Sequence, residues 1–249
     1  MNPFKKDKKQ IGLFATAGFP ELNSAIKIIP ELSLKGADFI EVGIPFSDPM
    51  ADGPTIQHSS EVALKNGMNM SILFDQLEEV KAKVNCPLVL MGYLNPVLTF
   101  GLEKFLRKCN QTSIKTVILP DMSIEIYERF HQAMFEEYGV SVCFLITQNT
   151  PDDIIKRVAK VSANSFVYLV SSVSITGSTQ DFSIDNSENV NRIRKIIGDI
   201  PLFMGFGIST RKDVEMVQKV VDGAIIGSAY LKSISLKTDE QYLKDLFLL

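Results

Sequence analysis

Short runs of β-branched, leucine and aromatic residues alternate with longer segments of helical period from one end of the chain to the other, with no linker between them. The short runs predict strands over 11–16, 38–43, 87–92, 116–119, 141–146, 165–171, 202–205 and 223–226. The longer segments predict helices over 22–35, 71–84, 102–110, 124–137, 151–161, 187–197 and 210–220, with a last amphipathic helix over 240–247. The strands are nearly continuous in apolar residues, which suits a parallel sheet buried on both faces. Strict strand–helix alternation at about thirty residues per repeat predicts an α/β fold, a (β/α)8 TIM barrel in which 1–249 form a single domain. An open doubly wound sheet is the alternative left by the pattern.

Local signals mark several boundaries. Thr150-Pro151-Asp152-Asp153 supplies a hydroxyl cap, a proline at the first helical position and acids in the first turn. Ser209-Thr210-Arg211-Lys212-Asp213 opens a later helix in the same manner. Lys5, Lys6, Lys8 and Lys9 are read as a solvated first turn or an additional N-terminal helix covering the bottom of the barrel. The apolar stretch that follows contains Ala15-Thr16-Ala17 and superficially suits a signal peptide. Gly18, Pro20 and Glu21 end it as a strand-to-helix turn would. No run is long enough to span a bilayer, so a soluble cytoplasmic protein is expected.

Composition narrows the chemistry. Of 249 residues, 45% are hydrophobic and 22% charged, which is ordinary for a globular protein. A formal net charge of -3, with no recurring basic stripe, argues against a nucleic-acid partner. Cys86, Cys109 and Cys143 are far apart and form no C-x-x-C pair, and His58 and His131 lack a companion at ligand spacing. Asp48, Asp52 and Asp121 sit in turn-like stretches, where acids act as caps more often than as metal ligands. No metal is expected.

The most unusual residue is Glu41. It stands inside Phe39-Ile40-Glu41-Val42-Gly43, a strand whose alternation leaves neither face polar, so burial there requires a partner or a retained proton. A barrel places its active site at the C-terminal ends of its strands, where Glu41 and the following Asp52 both fall. Tyr93 and Asn95, Pro120 and Asp121, and Tyr168 fall toward the same end. Ile175-Thr176-Gly177, Gly205-Phe206-Gly207 and Ile226-Gly227-Ser228 put glycines in three late loops, and Ser228 is placed to open a short helix. Together these read as a phosphate site. Gly205-Phe206-Gly207 does not complete a dinucleotide fingerprint, because Thr210 occupies the last position.

Glu41-Val42-Gly43-Ile44-Pro45-Phe46-Ser47-Asp48-Pro49-Met50-Ala51-Asp52-Gly53-Pro54-Thr55-Ile56-Gln57, followed by Tyr93-Leu94-Asn95-Pro96, Leu119-Pro120-Asp121 and the three glycine loops, resembles the α subunits of tryptophan synthase over nearly the whole chain. The resemblance implies retro-aldol cleavage of indole-3-glycerol phosphate to indole and glyceraldehyde 3-phosphate, without a cofactor in this subunit. It implies Glu41 as general acid and base and Asp52 as the carboxylate facing the indole N–H. Phe14, Ile56, Tyr93 and Tyr168 would wall the indole pocket, and Thr176 would lie on a closing loop. Gly177, Gly207, Gly227 and Ser228 would hold the phosphate. It also implies a pyridoxal-phosphate β subunit as partner in an α2β2 heterotetramer, contacted through 48–53 and the region after Asn95-Pro96. Ser172-Val173-Ser174 departs from the Arg and Gly of many relatives. Other phosphate-binding barrels, and an idle regulatory subunit, are the competing readings. The former ordinarily need a strand-end lysine or a histidine pair with a metal, and the latter does not need both Glu41 and Asp52.

Overall fold

The structure, a computed structural model, describes residues 2–170 and 187–248. Its strands are β1 (Gln10–Thr16), β2 (Phe39–Gly43), β3 (Leu88–Met91), β4 (Thr116–Ile118), β5 (Ser141–Cys143), β6 (Leu145–Ile146), β7 (Val167–Val170), β8 (Leu202–Gly205) and β9 (Gly223–Ile226). Their pairings are all parallel, in the order β5-β4-β3-β2-β1-β9-β8-β7-β6. β5 and β6 are halves of the single predicted run 141–146, interrupted at Phe144. The first half of that run pairs with β4 and the second with β7, so the two ends of the sheet meet through Phe144. This decides between the two architectures foreseen: the sheet curls into a nearly closed barrel rather than lying open, which leaves almost no unpaired edge.

Every residue of β1, β2, β8 and β9 is buried, as their apolar runs require. Inside the barrel, Phe39, Phe166 and Phe203 form one aromatic layer, with Phe166 and Phe203 stacked at 4.7 Å. Gly12, paired in register with Phe39, is bare because a side chain there would meet the Phe39 ring. That layer seals the lower half of the interior. The polar chemistry is thereby confined to the upper mouth.

The additional N-terminal helix is not found. Residues 2–9 run as turns and bends, because side chains take the backbone N–H groups that a helix would have bonded. Asn2 Oδ1 accepts from Phe4 N at 3.0 Å, Gln10 Oε1 from Lys5 N at 2.6 Å and Asp222 Oδ1 from Asp7 N at 3.0 Å. The segment still covers the bottom, by a different device: Phe4 inserts edge-on against Phe166 at 4.7 Å.

Other boundaries shift for local reasons. Thr210 caps its helix as expected, in a reciprocal box with Asp213. Thr150 does not cap: Pro151 occupies the N-cap of Asp152–Val161, and the Thr150 hydroxyl accepts from Thr147 N at 2.9 Å instead. Helices Pro54–Lys65 and Leu94–Phe100 lie outside the predicted helical segments. Proline in the first helical turn costs no hydrogen bond, so Pro54 and Pro96 start these helices rather than preventing them.

Candidate active site

Glu41 projects into the barrel from β2, directly above the aromatic layer, and is only 3% exposed. Its Oε2 has no hydrogen-bond partner among the described residues. Burial, with the Asp52 charge adding to it, raises the carboxyl from 4.5 to about 8. A carboxyl near neutrality can give a proton and take one back. The groups that feel its charge are Asp52 in the loop after β2, Cys143 on β5 and Tyr168 on β7.

Asp52 lies at the rim and is half-buried. Its carboxyl is also raised, mainly by desolvation, while the Tyr93 hydroxyl opposes that rise. Tyr93 is itself buried, and its hydroxyl accepts the Ala51 N–H at 3.0 Å, pinning the backbone next to Asp52. The position of Tyr93 is in turn set by Asp121. Both Asp121 carboxylate oxygens accept the Leu94 N–H, at 2.9 and 3.0 Å, at the start of the helix that follows. Asp121 thus acts as a helix-start acceptor, the role its turn context suggested.

Phe14, Ile56 and Gly227 come together. A β carbon on Gly227 would lie 3.4 Å from Phe14 Cβ and 3.6 Å from Ile56 Cδ1. Phe14 also lies over Gly43, whose lack of a side chain makes room for its ring. Tyr168 is buried across Gly205 in the same way. Gly227 is the N-cap of the helix Ser228–Leu236, so the free N–H groups of that helix open beside the Phe14–Ile56 wall. Gly207 has φ +76° and follows Phe206 at φ 75°, a turn that brings backbone rather than side chain to the mouth. Thr176, Gly177 and the departure at Ser172-Val173-Ser174 lie outside the described residues.

A family model described as "Tryptophan synthase alpha chain" matches residues 2–248. The chain belongs to that family. It is 45% identical over 231 residues to the tryptophan synthase alpha chain of Christiangramia forsetii, covering 93% of this chain and 90% of that one. Identity to the Flavobacterium johnsoniae protein of the same name is also 45% over 231 residues, covering 93% and 91%. Among solved structures, the tryptophan synthase α2β2 complex of Pyrococcus furiosus contains a chain that superposes with TM-score 0.88 at 30% identity, covering 99% of this chain and 100% of that one. A chain of Mycobacterium tuberculosis tryptophan synthase superposes with TM-score 0.84 at 26% identity, covering 97% and 92%. The reaction of tryptophan synthase α chains is the aldolase-type cleavage of indole-3-glycerol phosphate, a step of tryptophan biosynthesis. No helix among the described residues is long and apolar enough to cross a membrane.

Several groups around this α-chain pocket escaped the sequence reading. Cys143 faces the interior near Glu41, and alternation along β5 and β6 was the available signal. Phe46 packs against Tyr93 with ring centroids 5.2 Å apart, inside the very motif that carries the resemblance. Thr16 and Ser59 are joined across the mouth by a buried hydrogen bond of 2.7 Å, for which the sequence holds no local signal.

Proposed function

We propose that Glu41 and Asp52 divide the chemistry of indole-3-glycerol phosphate cleavage between them. The observation that carries this is the buried Glu41 carboxyl, whose Oε2 has no partner among the described residues, desolvated enough to keep its proton near neutral pH and set within the field of a second carboxylate. Protonated Glu41 delivers its proton to C3 of the indole. The ring becomes cationic, and ionised Asp52, accepting from the indole N–H, stabilises that charge as it develops. Glu41, now a carboxylate, takes the proton of the glycerol hydroxyl. The bond between C3 and the glycerol carbon then breaks, the aldehyde forms, and the electron pair returns to the ring. Glu41 ends protonated again. No cofactor is needed in this sequence.

Phe14, Ile56, Tyr93 and Tyr168 wall the indole in this reading. The backbone around Gly207, Gly227 and Ser228 receives the phosphate, together with Gly177 and Thr176, which lie outside the described residues. The N-terminus of Ser228–Leu236, open beside the Phe14–Ile56 wall, supports the phosphate assignment. The chain works as one barrel domain in the cytoplasm, with a pyridoxal-phosphate β subunit in an α2β2 assembly. Met50, 79% exposed, and Leu98, 46% exposed, support a partner surface across 48–53 and the helix Leu94–Phe100, and Phe46 and Ser47, just before that loop, share a groove with Asn95 and Pro96 of the helix. The test is indole release from indole-3-glycerol phosphate, by the chain alone and with β subunit added. The expected result is slow release that the partner accelerates, because a partner favouring the competent loop arrangement shifts its population. Absence of release in both conditions overturns the reading.

A further inference from the structure

At the end of β1, Thr16 is 3% exposed, and Ser59, in the helix Pro54–Lys65, is 1% exposed. Their hydroxyl oxygens are 2.7 Å apart. Ser59 Oγ is also 2.8 Å from the Ile56 carbonyl, to which it donates. Each hydroxyl has one proton to give, so the proton inventory fixes the direction. With Ser59 donating to Ile56, Thr16 donates to Ser59, and both protons are used. The reverse order leaves the Thr16 proton without an acceptor among the described residues. The pair is therefore a directed relay, from Thr16 to Ser59 to the carbonyl of Ile56.

That relay ends on a strategic turn. Ile56 faces Phe14 and Gly227 across the pocket mouth. The same first helical turn is continuous with the Asp52 loop: Gly53 O accepts from Ile56 N and from Gln57 N, both at 3.0 Å, and Gln57 Nε2 donates to Asp52 O at 2.8 Å. The other side of the loop is held by Tyr93 on Ala51. Without the relay, nothing polar in the described barrel wall ties the first turn of this helix to β1, and Asp52 and Ile56 share whatever displacement the turn undergoes.

We infer that Thr16 and Ser59 are positioning residues for the cleavage reaction, setting the placement of Asp52 and Ile56 relative to Glu41 through this hydroxyl relay. The inference rests on the roles proposed above for Asp52 and Ile56. Neither hydroxyl is assigned contact with substrate. Of the groups facing Glu41, Cys143 and Tyr168 stand on strands that the relay does not touch, and Asp52 alone lies on the held segment.

The test compares full-length wild type with Ser59→Ala, Thr16→Val and Thr16→Ser. In Ser59→Ala and Thr16→Val, kcat for indole release is expected to fall roughly three- to tenfold, with KM nearly unchanged, the size of one net hydrogen bond. The double variant should be no slower than the worse single one, because both remove one connection. Thr16→Ser should restore kcat. A carboxyl 13C NMR titration supplies a readout that a purely structural role leaves in place: Glu41 in Ser59→Ala should titrate at lower pH than in wild type, as Asp52 moves away. Wild-type kcat and an unmoved Glu41 titration in folded Ser59→Ala would overturn the inference. If Thr16→Val does not fold, Ser59→Ala decides the question by itself, since alanine suits a helix interior. A wild-type chain that releases no indole removes the reaction assignment instead, and the Glu41 titration then decides the relay alone.

Discussion

The Tyr168 ring lies across Gly205, in the volume that a side chain at that position would occupy, and this holds the Tyr168 hydroxyl inside the barrel near Glu41. The two residues sit on adjacent paired strands, β7 and β8. Gly205→Ala cannot be accommodated with Tyr168 in place. The ring must move toward the pocket, and KM for indole-3-glycerol phosphate is expected to rise about tenfold or more, against overpacking costs of about 1–3 kcal/mol. A steady-state comparison checks this, and Gly205→Ala with Tyr168→Phe should regain part of the loss by shortening the ring.

Glu41→Gln keeps the side-chain shape and removes proton transfer. Turnover should fall by about 10² to 10⁴, with substrate affinity nearly retained. In wild type, the first step needs the protonated acid, so the rate should decline as pH rises through about 8. A pH–rate profile that stays flat through that range would argue against Glu41 as the proton donor.

The same carboxyl carries a stability cost with a defined sign. Its ordinary value is 4.5 and its folded value about 8, so between these the unfolded chain releases a proton that the native protein retains. Stability therefore falls with rising pH across that window and is unaffected by this group below it. Glu41→Gln should be more stable than wild type near pH 8, by on the order of a few kcal/mol, and equally stable near pH 4, so that its unfolding temperature is higher only at the higher pH. Thermal scans at the two pH values read the difference directly.

Asp52→Asn should lower kcat more than it raises KM, because the charge it supplies matters most when the ring is cationic. Tyr93→Phe loosens the Ala51 N–H contact and should produce a milder loss in the same direction. Equal kcat in wild type and Asp52→Asn would reduce Asp52 to a binding residue.

Glycerol 3-phosphate should compete with substrate, and Gly227→Val should weaken that competition by filling the space between Phe14 and Ile56 at the helix start. Gly207→Val should weaken it too, through the strain of a β-branched residue at φ +76°. Inhibition constants measured on the folded variants decide whether these loops hold phosphate.

Strand order, the α/β alternation that predicts a barrel and the burial of Glu41 were all legible in the chain's own sequence of apolar runs. Buried parallel strands are continuous in apolar residues, and an acid among them stands out. The motif from Glu41 to Gln57 likewise carried the family by itself. Tertiary structure alone decided the rest. Closure depends on the run 141–146 pairing with β4 through its first half and with β7 through its second, partners that no local window contains. The N-terminal segment lost its helix to Gln10 and Asp222, and Asp222 meets it only once the barrel has formed. Thr16 and Ser59 are 43 positions apart, and their hydroxyls are ordinary in isolation. Their roles arise because parallel strands bring the ends of distant segments to one rim, where a hydrogen bond depends on distance in space and not on separation along the chain.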